Sequence, residues 1–161
     1  MGIDDAVKLG FSNYVNFEGR ACRSEYWYWC LFAFIGLIAT SIIDQMIGVP
    51  ITGGMFGLAV FFPGLSVTVR RLHDLDFSGW WILVPLIPLV AGILPTLIPL
   101  VGEKLAVFIP LLQIINFIIF AIASLGIVMF IIFMCSQGTD GPNRFGADRL
   151  AGLEQTRPRS A

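Results

Sequence analysis

The stretch "RRLHDLDFSGWW", residues 70–81, sets two arginines, the chain's single histidine and two aspartates between two long apolar runs. Around it the chain is oily, with 57% hydrophobic and 13% charged residues and a mean hydropathy of +0.83. Working outward, residues 26–43, 45–69, 77–102 and 105–138 contain no charged side chain. A helix crossing about 30 Å of hydrocarbon needs roughly 20 predominantly apolar residues. A water-soluble helix of that length would scatter charges along its wet face. The four uncharged segments therefore read as four transmembrane helices, and 70–81 reads as the polar loop between the second and the third.

The basic residues orient this arrangement. Lys8, Arg20, Arg23, Arg70, Arg71, Arg144, Arg149, Arg157 and Arg159 fall on one side of a four-span path, and Lys104 falls on the other. Cytoplasmic loops carry the excess of Lys and Arg, so both termini are expected in the cytoplasm. A three-span path would carry the C-terminal arginines outside. Residues 1–25 lack the basic start, apolar core and small-residue cleavage site of a leader, so none is expected.

The expected fold is an all-α integral membrane protein, a four-transmembrane-helix bundle with a short N-terminal interfacial helix. Residues 1–25 form a cytoplasmic or interfacial segment, with Asp4 or Asp5 capping the short helix. Residues 26–138 form the membrane domain, with helices at about 26–43, 47–70, 79–101 and 105–136. Residues 139–161 form a cytoplasmic glycine-rich motif and a loose tail. Tyr26–Trp29 resembles an aromatic belt at headgroup level. Gly53 and Gly57, spaced G-x-x-x-G, suggest close helix contact. Pro63 suggests a kink in the second helix, and Pro85, Pro88, Pro95 and Pro99 suggest a bent third one.

Little catalytic chemistry is written here. Three cysteines without a C-x-x-C pair, and one histidine, argue against a disulfide framework or a zinc site. Neither a nucleophile elbow nor a metalloprotease or phosphate-loop motif is present. His73 adjoins Asp74, but neighbours on a helix point in different directions, so the carboxylate is poorly placed to orient the imidazole. No enzyme activity, metal, cofactor or nucleic-acid partner is expected.

The polar residues around the inner loops admit two readings. At the low-dielectric edge of a bilayer isolated charges are costly, so they pair with one another. Glu25, Arg70, Asp74 and Asn143 are the candidates for such a structural network, with Glu25 expected to pair with an arginine of 70–74 or with Arg144. Asp76 is expected to help cap the third helix. Alternatively, the arginines grip an anion through paired donors. Arg20, Arg23, Arg71, His73, Trp80, Trp81 and Arg144 would then form a face for anionic lipid headgroups or for a membrane-protein partner, including another copy of the chain. The preferred function is a non-catalytic, multi-pass protein of the bacterial inner (plasma) membrane with such a face. The alternative is a small oligomeric transporter or channel using the proline-kinked third helix, with a membrane enzyme third.

Three motifs carry a resemblance. "FEGRACRSEYWYW" (17–29), "RRLHDLDFSGWW" (70–81) and "GTDGPNRFGAD" (138–148) are similar, in that order, to the signatures of the small bacterial inner-membrane proteins called domain of unknown function 805. The matching positions include Gly19, Arg20, Arg23, Glu25, Arg71, His73, Asp74, Trp80, Trp81, Gly138, Asn143 and Arg144. Ala147 stands where a proline is frequent. The resemblance implies a bacterial integral membrane protein with its polar motifs on the cytoplasmic side. It implies no chemistry.

Overall fold

Helix α1 (Ile3–Ser12) opens the chain in the computed structural model, which describes residues 1–87, 90 and 109–147. The cap position of α1 is taken by extended Gly2, whose N–H donates to Asp5 Oδ2 at 3.1 Å. Asp5 thus acts from the first turn instead of serving as the cap residue. The buried face of α1 is small, Ala6 and Gly10, because the Trp29 indole lies against it. A Cβ on Gly10 would overlap that ring. Ile3, Phe11, Tyr14, Val15 and Phe17 stay exposed along the N-terminal segment.

Helix α2 (Arg23–Ile47) extends past the expected 26–43 at both ends. At its start, Glu25 is fully buried in an ion pair, so a charged residue is accommodated within the first turn. At its end, Asp44 does not stop the helix; Gly48 does, with φ 78° and its N–H bonded to the Asp44 carbonyl at 2.9 Å. Left-handed backbone of this kind favours glycine. The Asp44 carboxylate turns toward α3 (Thr52–Asp74), accepting from Thr52 N at 2.8 Å, Thr52 Oγ1 at 2.6 Å and Gly53 N at 2.9 Å. A side chain from α2 therefore satisfies the orphan amides that open α3. Helix α3 begins after Pro50, not at 47, runs through Pro63, and continues past 70 to Asp74. The last turn of α3, expected to be the start of a loop, is helical because its charges find buried partners.

The three helices pack around Trp29, Val60 and Val67, flanked by Tyr26, Phe32 and Phe56. Phe11 meets Trp29 edge-on at 5.3 Å, and Phe32 meets Phe56 edge-on at 6.0 Å, arrangements that suit the aromatic quadrupole. Trp29 is only 3% exposed, so it belongs to this core and not to a lipid-facing belt, while Trp27 is 40% exposed. Helical periodicity separates them: residues 25, 29 and 32 share a stripe that residue 27 does not. Close approach of α2 and α3 occurs at Gly36, where a Cβ would overlap the Phe56 ring. Gly57 of the G-x-x-x-G pair has nothing nearby.

The chain divides into two units, Met1–Gly79 with Ser136–Ala161, and Trp80–Cys135. The expected helix at 79–101 begins instead as a 3₁₀ helix, Gly79–Leu83. Most of its remainder lies outside the described residues, including Pro88, Pro95 and Pro99. Helix α4 (Ile109–Cys135) is uncharged throughout. Among the described residues, Arg23–Ile47, Thr52–Asp74 and Pro110–Cys135 are long and apolar enough to cross a membrane. Among the described residues every regular element is a helix, apart from an isolated bridge between Asn143 and Gly146, which fits a membrane protein.

Candidate functional site

The site is built on the last turn of α3. Residues three or four apart share a helix face, so Ser66 lies one turn below Arg70, and Asp74 one turn above it. Arg70 does not pair with Asp74. Its Nη1 donates to Glu25 Oε1 on α2 at 2.7 Å, and its Nε approaches Ser66 Oγ at 3.4 Å. The Ser66 hydroxyl lies against the Asn13 and Asn16 carbonyls, donating to one at a time, and so fastens the end of α1 to α3.

Asp74 is the centre of a second cluster. Its Oδ1 accepts from Arg20 Nε at 2.9 Å, and its Oδ2 from Arg71 Nη1. Arg20 donates onward to the carbonyls of Gly141, at 2.6 Å, and Thr139; Arg71 donates to that of Ser136. The Asp74 carbonyl accepts from the Thr139 amide at 2.9 Å and its hydroxyl at 3.1 Å. The Ala21 amide donates to the Arg70 carbonyl at 2.9 Å. The chain around Arg20, the end of α3 and the glycine-rich turn are thereby clasped together. Gly138 is needed at this junction, since a Cβ there would overlap the Asp74 carboxylate.

The rim is more open. His73 Nδ1 lies 3.2 Å from the Gly19 carbonyl, an acceptor, so this nitrogen carries the hydrogen. The imidazole stacks on Phe145 at 3.8 Å with 3° between planes, and Arg144 lies 4.7 Å from the centre of the same ring. Arg144 Nε donates to Asp76 Oδ1 at 3.0 Å in an exposed pair. Asp76 therefore holds the glycine-rich turn. Asn143 Nδ2 donates to the His73 carbonyl at 2.8 Å and to Thr139 Oγ1 at 3.0 Å.

Of the residues singled out in the sequence, Arg20, Arg70, Arg71, Glu25 and Asp74 are thus buried together. His73, Asn143 and Arg144 form the rim beside them, and Arg23 is exposed at the start of α2. Trp80 and Trp81 are exposed in the second unit. Asp148 lies outside the described residues. The sequence offers Ser66 only as a mid-depth polar group that a transporter could use, and its fastening role, like Thr139 altogether, escaped that reading; a hydroxyl in an apolar run or a glycine-rich turn carries no signal until its partner is known.

The electrostatics are uneven. Among the described residues, the buried charged side chains are Arg20, Arg70 and Arg71 against Glu25 and Asp74. Arg70 Nη2 is also buried without a hydrogen bond, a costly state for a charged donor. Beside Asp74 opens a cavity of about 240 Å³, lined by Cys22, Arg23, Ser24, Arg71, Asp74, Gln137 and Gly138. Both carboxylate oxygens of Asp74 are held by guanidinium groups, and His73 faces a carbonyl and a ring, so neither is set up as a general base. No group of three His, Cys, Asp or Glu side chains suited to a metal ion occurs among the described residues.

Residues 14–147 match the family described as "Protein of unknown function (DUF805)". The chain is 34% identical over 142 residues to "Inner membrane protein YhaH" of Escherichia coli, covering 84% of this chain and 88% of that protein. To "Inner membrane protein YhaI" of the same organism it is 32% identical over 139 residues, covering 84% and 87%. No solved structure matches. The matched region holds the whole clasp, from Arg20 through Asp74 to Asn143, and the chain belongs to the DUF805 family.

Proposed function

We propose that this chain is a non-catalytic protein of the bacterial inner membrane, crossing it four times with both termini in the cytoplasm. Helix α1 lies at the interface, and the charged end of α3 forms a cytoplasmic-side face that binds anionic lipid headgroups. The carrying observation is the buried charge count, three guanidiniums against two carboxylates, with Arg23 added at the exposed start of α2, while Arg144 on the rim is matched by Asp76. A positive surplus at the edge of hydrocarbon attracts anionic headgroups. Arg20 and Arg71 serve this face chiefly by building it, while Arg23, His73 and Arg144 provide its outer residues. Two relatives named as inner membrane proteins, and the nine-to-one placement of Lys and Arg, support the location and orientation.

The test is the lipid that accompanies the full chain out of bacterial membranes in mild detergent, identified by native mass spectrometry. Phosphatidylglycerol or cardiolipin should be enriched over its share of the bulk membrane. Lipid in bulk proportion would reject the reading.

A further inference from the structure

We propose that the cavity beside Asp74 is a subsite for a phosphate-type oxyanion, an inference that rests on the anion-binding reading of this face and locates it. The cavity, about 240 Å³, is smaller than the roughly 300–1,000 Å³ of sites for drug-sized molecules. It suits a small ion or the phosphate of a headgroup. Its charged lining residues are Arg23, Arg71 and Asp74, with Ser24, Cys22 and Gln137 as the neutral polar ones.

The carboxylate in that wall would repel an anion if it stood alone. It does not: Asp74 is held on one oxygen by Arg20 and on the other by Arg71. The immediate surroundings therefore carry Arg20 and Arg71, both buried, against Asp74, a positive excess that water screens little, and exposed Arg23 adds its charge from the lining. Cys22, at the cap position of α2, makes no side-chain cap bond. Its Sγ lies 3.2 Å from Ser24 Oγ, and both residues line the cavity. The field of the α2 N-terminus adds to the same sign. Guanidinium groups pair with tetrahedral oxyanions in a way that ammonium groups do not, and arginine is the only cation in this wall.

The experiment uses the full chain, stripped of lipid in dodecyl maltoside, with thermal unfolding and native mass spectrometry as readouts. The probes are inorganic phosphate and short-chain phosphatidylglycerol, each against chloride at equal ionic strength. Stabilisation by phosphate alone would mark a free-ion site, and stabilisation by the phospholipid alone a headgroup site; either supports the subsite. Arg23→Gln should weaken the active probe about tenfold, as expected for a lost charge-assisted contact, and Ser24→Ala severalfold. Lys8→Gln, which removes the same charge from α1, should leave it unchanged. Failure of both probes to stabilise the parent, or equal affinity in the parent and Arg23→Gln, would overturn the subsite. If anionic lipid still co-purifies in that case, the lipid-binding face stands and only its location is wrong. If none co-purifies, the broader reading has failed by its own test.

Discussion

At the scale of single residues, buried charge decides what each arginine does. Glu25 is fully buried and held by Arg70 at 2.7 Å. A carboxylate next to an apolar run must find a cation, so this pairing was legible in the sequence up to the choice of partner. That choice was not, because three arginines and two carboxylates compete, and only the packing of α2 on α3 assigns them. Removing one member of a buried pair strands the other, at a cost of about 3–5 kcal/mol. Glu25→Gln should therefore lower the unfolding temperature in detergent strongly, and the Glu25→Gln, Arg70→Gln double variant should lose less than the two single losses added. Strict additivity in that cycle would mean the two side chains do not interact. Trp29 was misread for a related reason. Its neighbours in sequence are interfacial aromatics, but the helical stripe it shares with Glu25 faces the core. Gly10→Ala should press a methyl group into its indole and destabilise by about 1–3 kcal/mol, measured by the same melts. An unchanged melt would show that α1 does not pack where it is described.

At the scale of elements, the apolar runs located the three long helices of the described residues, while the ends of α2 and α3 were set by contacts that sequence does not display. Helix α3 extends across Arg70, Arg71 and Asp74, and α2 takes in Glu25, because those charges are paired inside the protein and need not reach water. The start of α3 is fixed by Asp44, a residue eight positions earlier on another helix. No local capping signal announces it, since Ile51 at the cap position has no side-chain cap bond. Asp44→Ala should leave the fold intact and cause a modest drop in unfolding temperature, the size usual for a lost helix cap. Hydrogen exchange should then rise at the Thr52 and Gly53 amides. Protection there identical to the parent would deny Asp44 its capping role. The 3₁₀ start of the third apolar segment was also unreadable: Gly79 and the two tryptophans after it fit a helical beginning equally well by composition.

At the scale of the whole molecule, three motifs far apart in sequence meet at Asp74. Their residue types were conspicuous as polar islands in an oily chain, which made the candidate site legible as a set. Its architecture was not legible, because Arg20 and Arg71 look like surface cations until the carbonyls of Ser136, Thr139 and Gly141 are seen to receive them. Asp74→Asn would remove the charge both arginines share, so residues 138–146 should become susceptible to protease in detergent while α2 and α3 remain folded. Resistance equal to the parent would mean that the turn is held without the clasp.

The central claim is that the chain crosses the membrane four times with this clasp on the cytoplasmic side, and accessibility of single cysteines tests it most directly. In a background lacking the native cysteines, Cys placed at Lys8, Gly48, Glu103 and Leu150 is labelled in intact spheroplasts with a membrane-impermeant maleimide. The account predicts labelling at positions 48 and 103, and labelling at 8 and 150 only after the membrane is opened. Labelling of position 150 from outside would contradict it.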